Sequence, residues 1–247
     1  MNTSTSVLLR RRMPAPQRRI QLLEIALERF ARRGYHETSM EEIAEAAGVT
    51  KPVLYHHFAS KTELFVELLD TVGERLVQDM SAMIEAESSP YCKVLAGFRS
   101  YFHFVCTSTS AYQLLFTSGA RISEEFSEPV QRLEESVAKI VGRLIDADVD
   151  EAHRELLGYA IVGLGEVAAR RWVAEQNPTS DGSSDGPAGG RAQPASFLDP
   201  TVGELMARHL ADLVWAGLRA LPAQARPEPA SESGEELAVA SPSQVRL

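Results

Sequence analysis

The sequence predicts an all-α fold in two parts, a small three-helix head followed by a larger helical body. Three observations lead there. Apolar residues recur at helical spacing along nearly the whole chain, with no stretch of strict strand alternation. Capping boxes and glycine or proline stops punctuate that pattern at helix-length intervals. A composition of 44% hydrophobic and 24% charged residues over 247 positions suits an ordinary globular chain with one large core or two modest ones.

The first helix carries Ile20, Leu23, Leu27, Phe30 and Ala31 inward and stops at Arg32-Arg33-Gly34, two cations at the negative helix end and a glycine to leave it. Ser39-Met40-Glu41-Glu42 reads as a capping box opening a short helix that ends at Ala47-Gly48. Thr50 is placed to cap a third helix, with Pro52 tolerated in its first turn. Ser60-Lys61-Thr62-Glu63 opens a long fourth helix with Leu64, Leu68, Leu69, Val72, Leu76, Met80 and Met83 inward. Further helices follow: an aromatic-rich one from 91 to 107, a shorter one holding Tyr112 and Phe116, one opened by Pro129, a nearly uncharged one over 150–176, and a last one over 200–221. Gly, Ser, Pro and Asp dominate 177–198, a loop by composition, and the Pro/Glu/Ser/Ala-rich tail 222–247 is expected to be disordered.

Net charge is −9, but its distribution matters more than its sum. Residues 1–65 hold ten Lys/Arg against seven Asp/Glu, whereas 66–247 hold fifteen against twenty-seven. Arg10, Arg11, Arg12, Arg18 and Arg19 crowd one stretch, most of it in a basic arm over residues 1–15 that is either merely solvated or touches phosphates or a minor groove. No apolar run reaches the ~18 residues that span a bilayer, and the N-terminus lacks the features of a secretory signal. Cys92 and Cys106 have neither metal nor disulfide spacing, and His103 and His153 have no partner at metal spacing. The expectation is a reduced, cytoplasmic protein with no metal, cofactor or membrane partner.

Residues 39–58 carry the sharpest signal. Two short helices meet at Ala47-Gly48-Val49, with Ile43, Ala44, Val49, Leu54 and Phe58 inward and small alanines that allow close approach. What remains outward on the third helix is Thr50, Lys51, Pro52, Val53, His56 and His57, with Tyr55 at the edge, a set that fits a major groove. The bland alternative is a plain three-helix unit with exposed polar residues. GYHETSMEEIAEAAGVTKPVLYHHFASKTEL resembles the DNA-binding segment of the TetR family of bacterial regulators, through Phe30, Gly34, Tyr35, Gly48, Tyr55, Phe58, Lys61 and Leu64. The resemblance implies a helix-turn-helix DNA-binding domain over 16–60 and a ligand-binding and dimerisation domain over 61–221. It also implies a homodimer on a palindromic double-stranded operator, most simply as a repressor. By position, Ser39, Tyr55, His57 and Lys61 would hold phosphates, and Thr50, Lys51, Pro52, Val53 and His56 would face bases.

In the body, Gly158, Val162, Gly165 and Ala169 share one face of the 150–176 helix. Interior glycines cost roughly 1 kcal/mol each against alanine, which a close helix crossing would offset. With Leu210, Leu213 and Val214 of the last helix, they are the expected dimer interface. The letters Gly163-Leu164-Gly165-Glu166-Val167-Ala168 fit a dinucleotide fingerprint, but no strand precedes them and they sit inside a helix. Phe98, Phe102, Cys106, Tyr112 and Phe116 either line a ligand cavity or simply fill the core. FHFVCTSTSAYQLLF, Arg170-Arg171-Trp172, the basic arm and KPVLYHHF are similar to an actinobacterial subgroup of the family that controls fatty-acid synthesis and senses long-chain acyl-CoA, which implies a small apolar effector. The rival classes are a constitutive dimeric DNA-binding protein without an effector, and an enzyme, for which no catalytic constellation exists in the sequence.

Overall fold

The computed structural model describes residues 13–116, 126–145, 147–176 and 198–221. Apart from residues 13–15 and Leu198, the expected arm, loop and C-terminal tail lie outside the described residues. Among those described there are nine helices and no strand: α1 (Ala15–Glu37), α2 (Met40–Ala46), α3 (Lys51–His57), α4 (Lys61–Glu85), α5 (Pro90–Thr107), α6 (Thr109–Phe116), α7 (Ser127–Arg143), α8 (Glu151–Gln176) and α9 (Pro200–Leu218). No described helix is long and apolar enough to cross a membrane.

The local signals act as read. Gly34 breaks α1 with φ +77° and Gly48 turns between α2 and α3 with φ +62°, conformations a β-carbon disfavours. Ser39 and Glu42 close a reciprocal capping box on α2. Ser60 caps α4 by accepting from the Glu63 amide, while Glu63 reaches back to the amide of Ala59 rather than of Ser60. Two inward assignments fail. Ile20 is 58% exposed, because Leu22 and Leu23 carry the buried stripe of that turn. Met83 is 37% exposed, because its neighbour Ile84 takes the inward place.

Two hydrophobic cores form. The first joins α1–α3 to the N-terminal half of α4 and takes in Ala111, Leu114 and Leu115 of α6, Phe126, and Val130 and Leu133 of α7. The second joins the far end of α4 to α5, α8 and α9. α5 lies along α9, and α7 along α8. Arg99 of α5 reaches Glu204 of α9 at 2.8 Å and Tyr91 reaches Asp212 at 2.7 Å, pinning that pair.

The small-residue face of α8 turns inward, which corrects the expected dimer interface. A β-carbon on Gly158 would lie 2.6 Å from the Ala138 carbonyl oxygen of α7, and one on Gly165 would touch the rings of Phe98 and Tyr101 of α5. Ala169 is fully buried, and Val162 is half-buried on a cavity wall. On α9, Val214 is buried and Leu210 is half-buried against the second core, whereas Leu213 is 61% exposed as an interface residue should be. The glycines do serve a close crossing, but with helices of the same chain.

Candidate nucleic-acid interface and effector cavity

α2 and α3 form a rigid corner. The Val49 amide donates to the Ala44 carbonyl at 3.0 Å, and Ile43, Leu54 and Phe58 are fully buried beneath it. This fixes which side of α3 is outward: Lys51, Pro52, Val53, Tyr55 and His56 are exposed and His57 is half-buried. Thr50 occupies the N-cap position but makes no side-chain cap bond, so its hydroxyl is not spent on the helix, contrary to expectation. Burial of the ring, followed by nearby His56, Arg19 and Arg18, holds the His57 imidazole below the usual histidine range.

Two of the groups expected to hold phosphate, Ser39 and Lys61, are engaged within the chain. The Ser39 amide donates to the Glu42 carboxylate at 2.9 Å, and its hydroxyl accepts from the Glu42 amide at 3.2 Å. Lys61 donates to the carbonyls of Tyr35 and Thr38 at 2.9 and 3.1 Å, with its ammonium 4.3 Å above the Tyr35 ring. It therefore closes the end of α1, and phosphate would have to compete for it. Arg33 pairs with Glu42 and Lys51 with Glu41. Arg19, counted above with the basic arm, is instead a clasp. It forks onto Glu67 of α4, donates to the His57 carbonyl at the end of α3, and stacks 4.3 Å over Phe58. Spacing within one helix could not reveal Glu41, Glu42, Arg33 and Glu67 as partners, since each pair joins different elements.

The body holds a partly open apolar cavity of about 70 Å³. α4 contributes Leu76, Met80 and Ile84; α5 contributes Gly97, Phe98 and Tyr101; α6 ends in it with Leu115 and Phe116. Val130, Leu133, Val137 and Val141 of α7, with Ile161, Val162 and Gly165 of α8, close the other side. Glu134 and Glu166 are the carboxylates on its wall. Of the five expected lining residues, Phe98 and Phe116 are present and three are elsewhere. Phe102 is buried against Trp172, Tyr112 is buried beneath Phe116, and Cys106 lies against Gly203 of α9. Phe102 and Tyr112 are buried in the second core, whereas Cys106 is half-buried beside a second, open hollow.

A three-helix corner with an outward α3, set on a larger helical body, is the architecture of a helix-turn-helix DNA-binding regulator. Comparison with known proteins agrees. Residues 22–68 match the family described as bacterial regulatory proteins, tetR family. Over 175 residues the chain is 33% identical to the HTH-type transcriptional activator FasR of Mycolicibacterium smegmatis, covering 70% of this chain and 80% of that one. It is 35% identical over 88 residues to the HTH-type transcriptional repressor KstR2 of Mycobacterium tuberculosis, which covers 36% of this chain and 44% of KstR2. Among solved structures, a TetR-like regulator from Rhodococcus sp. RHA1 superposes with TM-score 0.63 at 25% identity, over 85% of this chain and all of that one. FadR from Bacillus subtilis, solved in complex with stearoyl-CoA, superposes with TM-score 0.64 at 14% identity over 80% of this chain and 98% of its own, a likeness of fold. The chain belongs to the TetR family of transcriptional regulators. It is a DNA-binding regulator and not an enzyme.

Proposed function

We propose that the protein is a homodimeric regulator whose grip on a palindromic operator is set by a long apolar effector, with long-chain acyl-CoA the favoured class. The observation that carries this reading is the chamber. Its wall is almost wholly apolar, an acyl chain would have to spread it to enter, and it draws side chains from both cores: Leu76, Leu115, Val130 and Leu133 from the first, Met80, Ile84 and Phe98 from the second. An occupant that spreads this wall moves α4 and α7 against the head. In a dimer, that changes the separation of the two α3 helices, which must match half-sites about 34–36 Å apart or a multiple. The ligand acts only through its different affinity for the two arrangements.

A dimer through α8 and α9 has support of its own. Leu156, Tyr159 and Val167 of α8 and Leu205 and Leu213 of α9 are exposed, and β-carbons on Gly163 and Gly217 would meet nothing within 4 Å. Apolar side chains with open helical glycines beside them suit a second copy packing closely. The exposed set on α3, with the groups around it, takes the phosphate and base contacts, and the DNA partner places the protein in the cytoplasm. The sign of regulation was expected to be repression. The relative matched across the body is named an activator, which supports activation here.

The test is a gel-shift titration of the dimer on an operator enriched from random duplexes, with acyl-CoAs of increasing chain length and coenzyme A alone as control. Release or tightening that grows with chain length is the expected result. Indifference to every acyl-CoA, together with no co-purified apolar molecule in native mass spectra, refutes the effector reading.

A further inference from the structure

The described part of the head is electrically neutral. Residues 13–65 hold seven Lys/Arg and seven Asp/Glu, an odd balance for a surface that must meet a polyanion. Two of its carboxylates have an evident structural task. Glu42 caps α2, and Glu63 caps α4. Glu41 has neither task. It is 59% exposed on the first turn of α2, and its side chain reaches across to Lys51, the first residue of α3. Lys51 in turn lies 5.7 Å from the ring of exposed Tyr55, on the outward side of the same helix. Each partner favours the other's charged form. The hydrogen bond from Lys51 holds the Glu41 carboxyl below its usual range, and the same bond holds the Lys51 ammonium above its own. Exposed pairs of this kind contribute little to stability, so the pair calls for another explanation.

We propose that Glu41 is a specificity-determining residue of the DNA interface, an internal competitor that holds Lys51 until a base-edge acceptor in the operator displaces it. The inference rests on α3 being the recognition helix. Residues at the N-terminal end of such a helix meet base edges, and lysine donates to guanine O6 and N7. On the operator, Lys51 exchanges one good acceptor for another. On unrelated DNA only phosphate is offered in exchange for Glu41. The carboxylate thus weakens every contact of Lys51 but weakens it most where no base-edge acceptor offsets the exchange, which is specificity by competition.

The experiment uses the full chain, an operator enriched from random duplexes, and a scrambled duplex of the same length, followed by fluorescence anisotropy across a salt series. Glu41→Gln is expected to bind scrambled DNA about three- to tenfold tighter at low salt, with a salt slope steeper by about 0.9 for the one phosphate contact freed in each protomer, doubled in a dimer. Operator affinity should change less, so the ratio of the two falls. In the Lys51→Met background the same Glu41→Gln change should have little effect, because the competitor acts through Lys51. Unchanged scrambled affinity and slope in Glu41→Gln overturns the proposal. So does an equal gain in the Lys51→Met background, which would reduce Glu41 to a general negative charge. Failure of the wild-type chain to enrich any duplex would count against the recognition-helix reading itself.

Discussion

Arg19 shows how one side chain can set the attitude of the recognition helix. It grips Glu67 of α4, the carbonyl at the end of α3 and the face of Phe58, so three elements meet at one guanidinium. Its carboxylate pair is about one-third exposed, so solvent screening discounts it. Arg19→Met should therefore cost only about 1 kcal/mol in urea unfolding. It should nevertheless weaken operator binding more than that, since the clasp positions α3. A binding loss no larger than the stability loss would remove the positioning role. His57, just above that clasp, offers a pH test with a definite sign. Its folded-state proton affinity lies below the ordinary value of 6.5, so the unfolded chain takes up the proton first. The corresponding stability is complete above 6.5 and is lost as pH falls through the lower folded value. If His57 holds a phosphate as proposed, DNA reverses the preference, because a phosphate beside the imidazole favours the charged ring. Operator affinity should rise as pH falls from 8 to 6, by up to roughly tenfold per pH unit. His57→Gln should flatten that rise, and a flat wild-type profile would remove His57 from the phosphate set.

At the scale of elements, periodicity fixes which residues are apolar together but not what covers them. The head was readable because its signals are local: the capping box at Ser39, the left-handed glycines at 34 and 48, the buried Leu54 and Phe58. The face of α8 was not, because Gly158, Gly165 and Ala169 would look the same in sequence whether they met α5 and α7 or a second copy. The cavity was half legible for a similar reason. A wall residue such as Met80 or Val137 has the same spacing as a packed one, and the void is a property of several helices together. Two glycines now separate the roles. Gly158→Ala sets a β-carbon 2.6 Å from a backbone oxygen of α7, an overpacking that should cost roughly 1–3 kcal/mol. Gly163→Ala meets nothing within 4 Å in the protomer, so it should stabilise the folded protomer by about 0.5–1 kcal/mol. If α8 packs on a second copy, Gly163→Ala should also weaken the dimer in sedimentation, while Gly158→Ala leaves self-association to follow stability. A more stable chain with undiminished association would move the interface away from Gly163.

For the whole molecule, the distribution of charge decides how the head reaches DNA at all. The body over 66–247 carries an excess of twelve negative charges, the described head is balanced, and the positive excess of residues 1–65 resides wholly in Arg10, Arg11 and Arg12. Lys51, Arg33, Lys61 and Arg19 are each engaged by a partner in the same chain, so they add little free positive field until contact is made. α1 begins at Ala15, only a turn before Arg19, whose guanidinium touches the last residue of α3. The described chain thus begins close to the end of α3, and we propose that the three arginines before it add phosphate contacts. Deleting residues 1–12 should then lower affinity for operator and scrambled DNA alike and flatten the salt slope by about 0.9 for each arginine in contact, doubled in a dimer. Specificity should persist, because the groups that discriminate lie on α2 and α3. An unchanged slope after the deletion would mean that the balanced head alone overcomes the field of the body, and that the pairs at Lys51 and Arg33 open on contact.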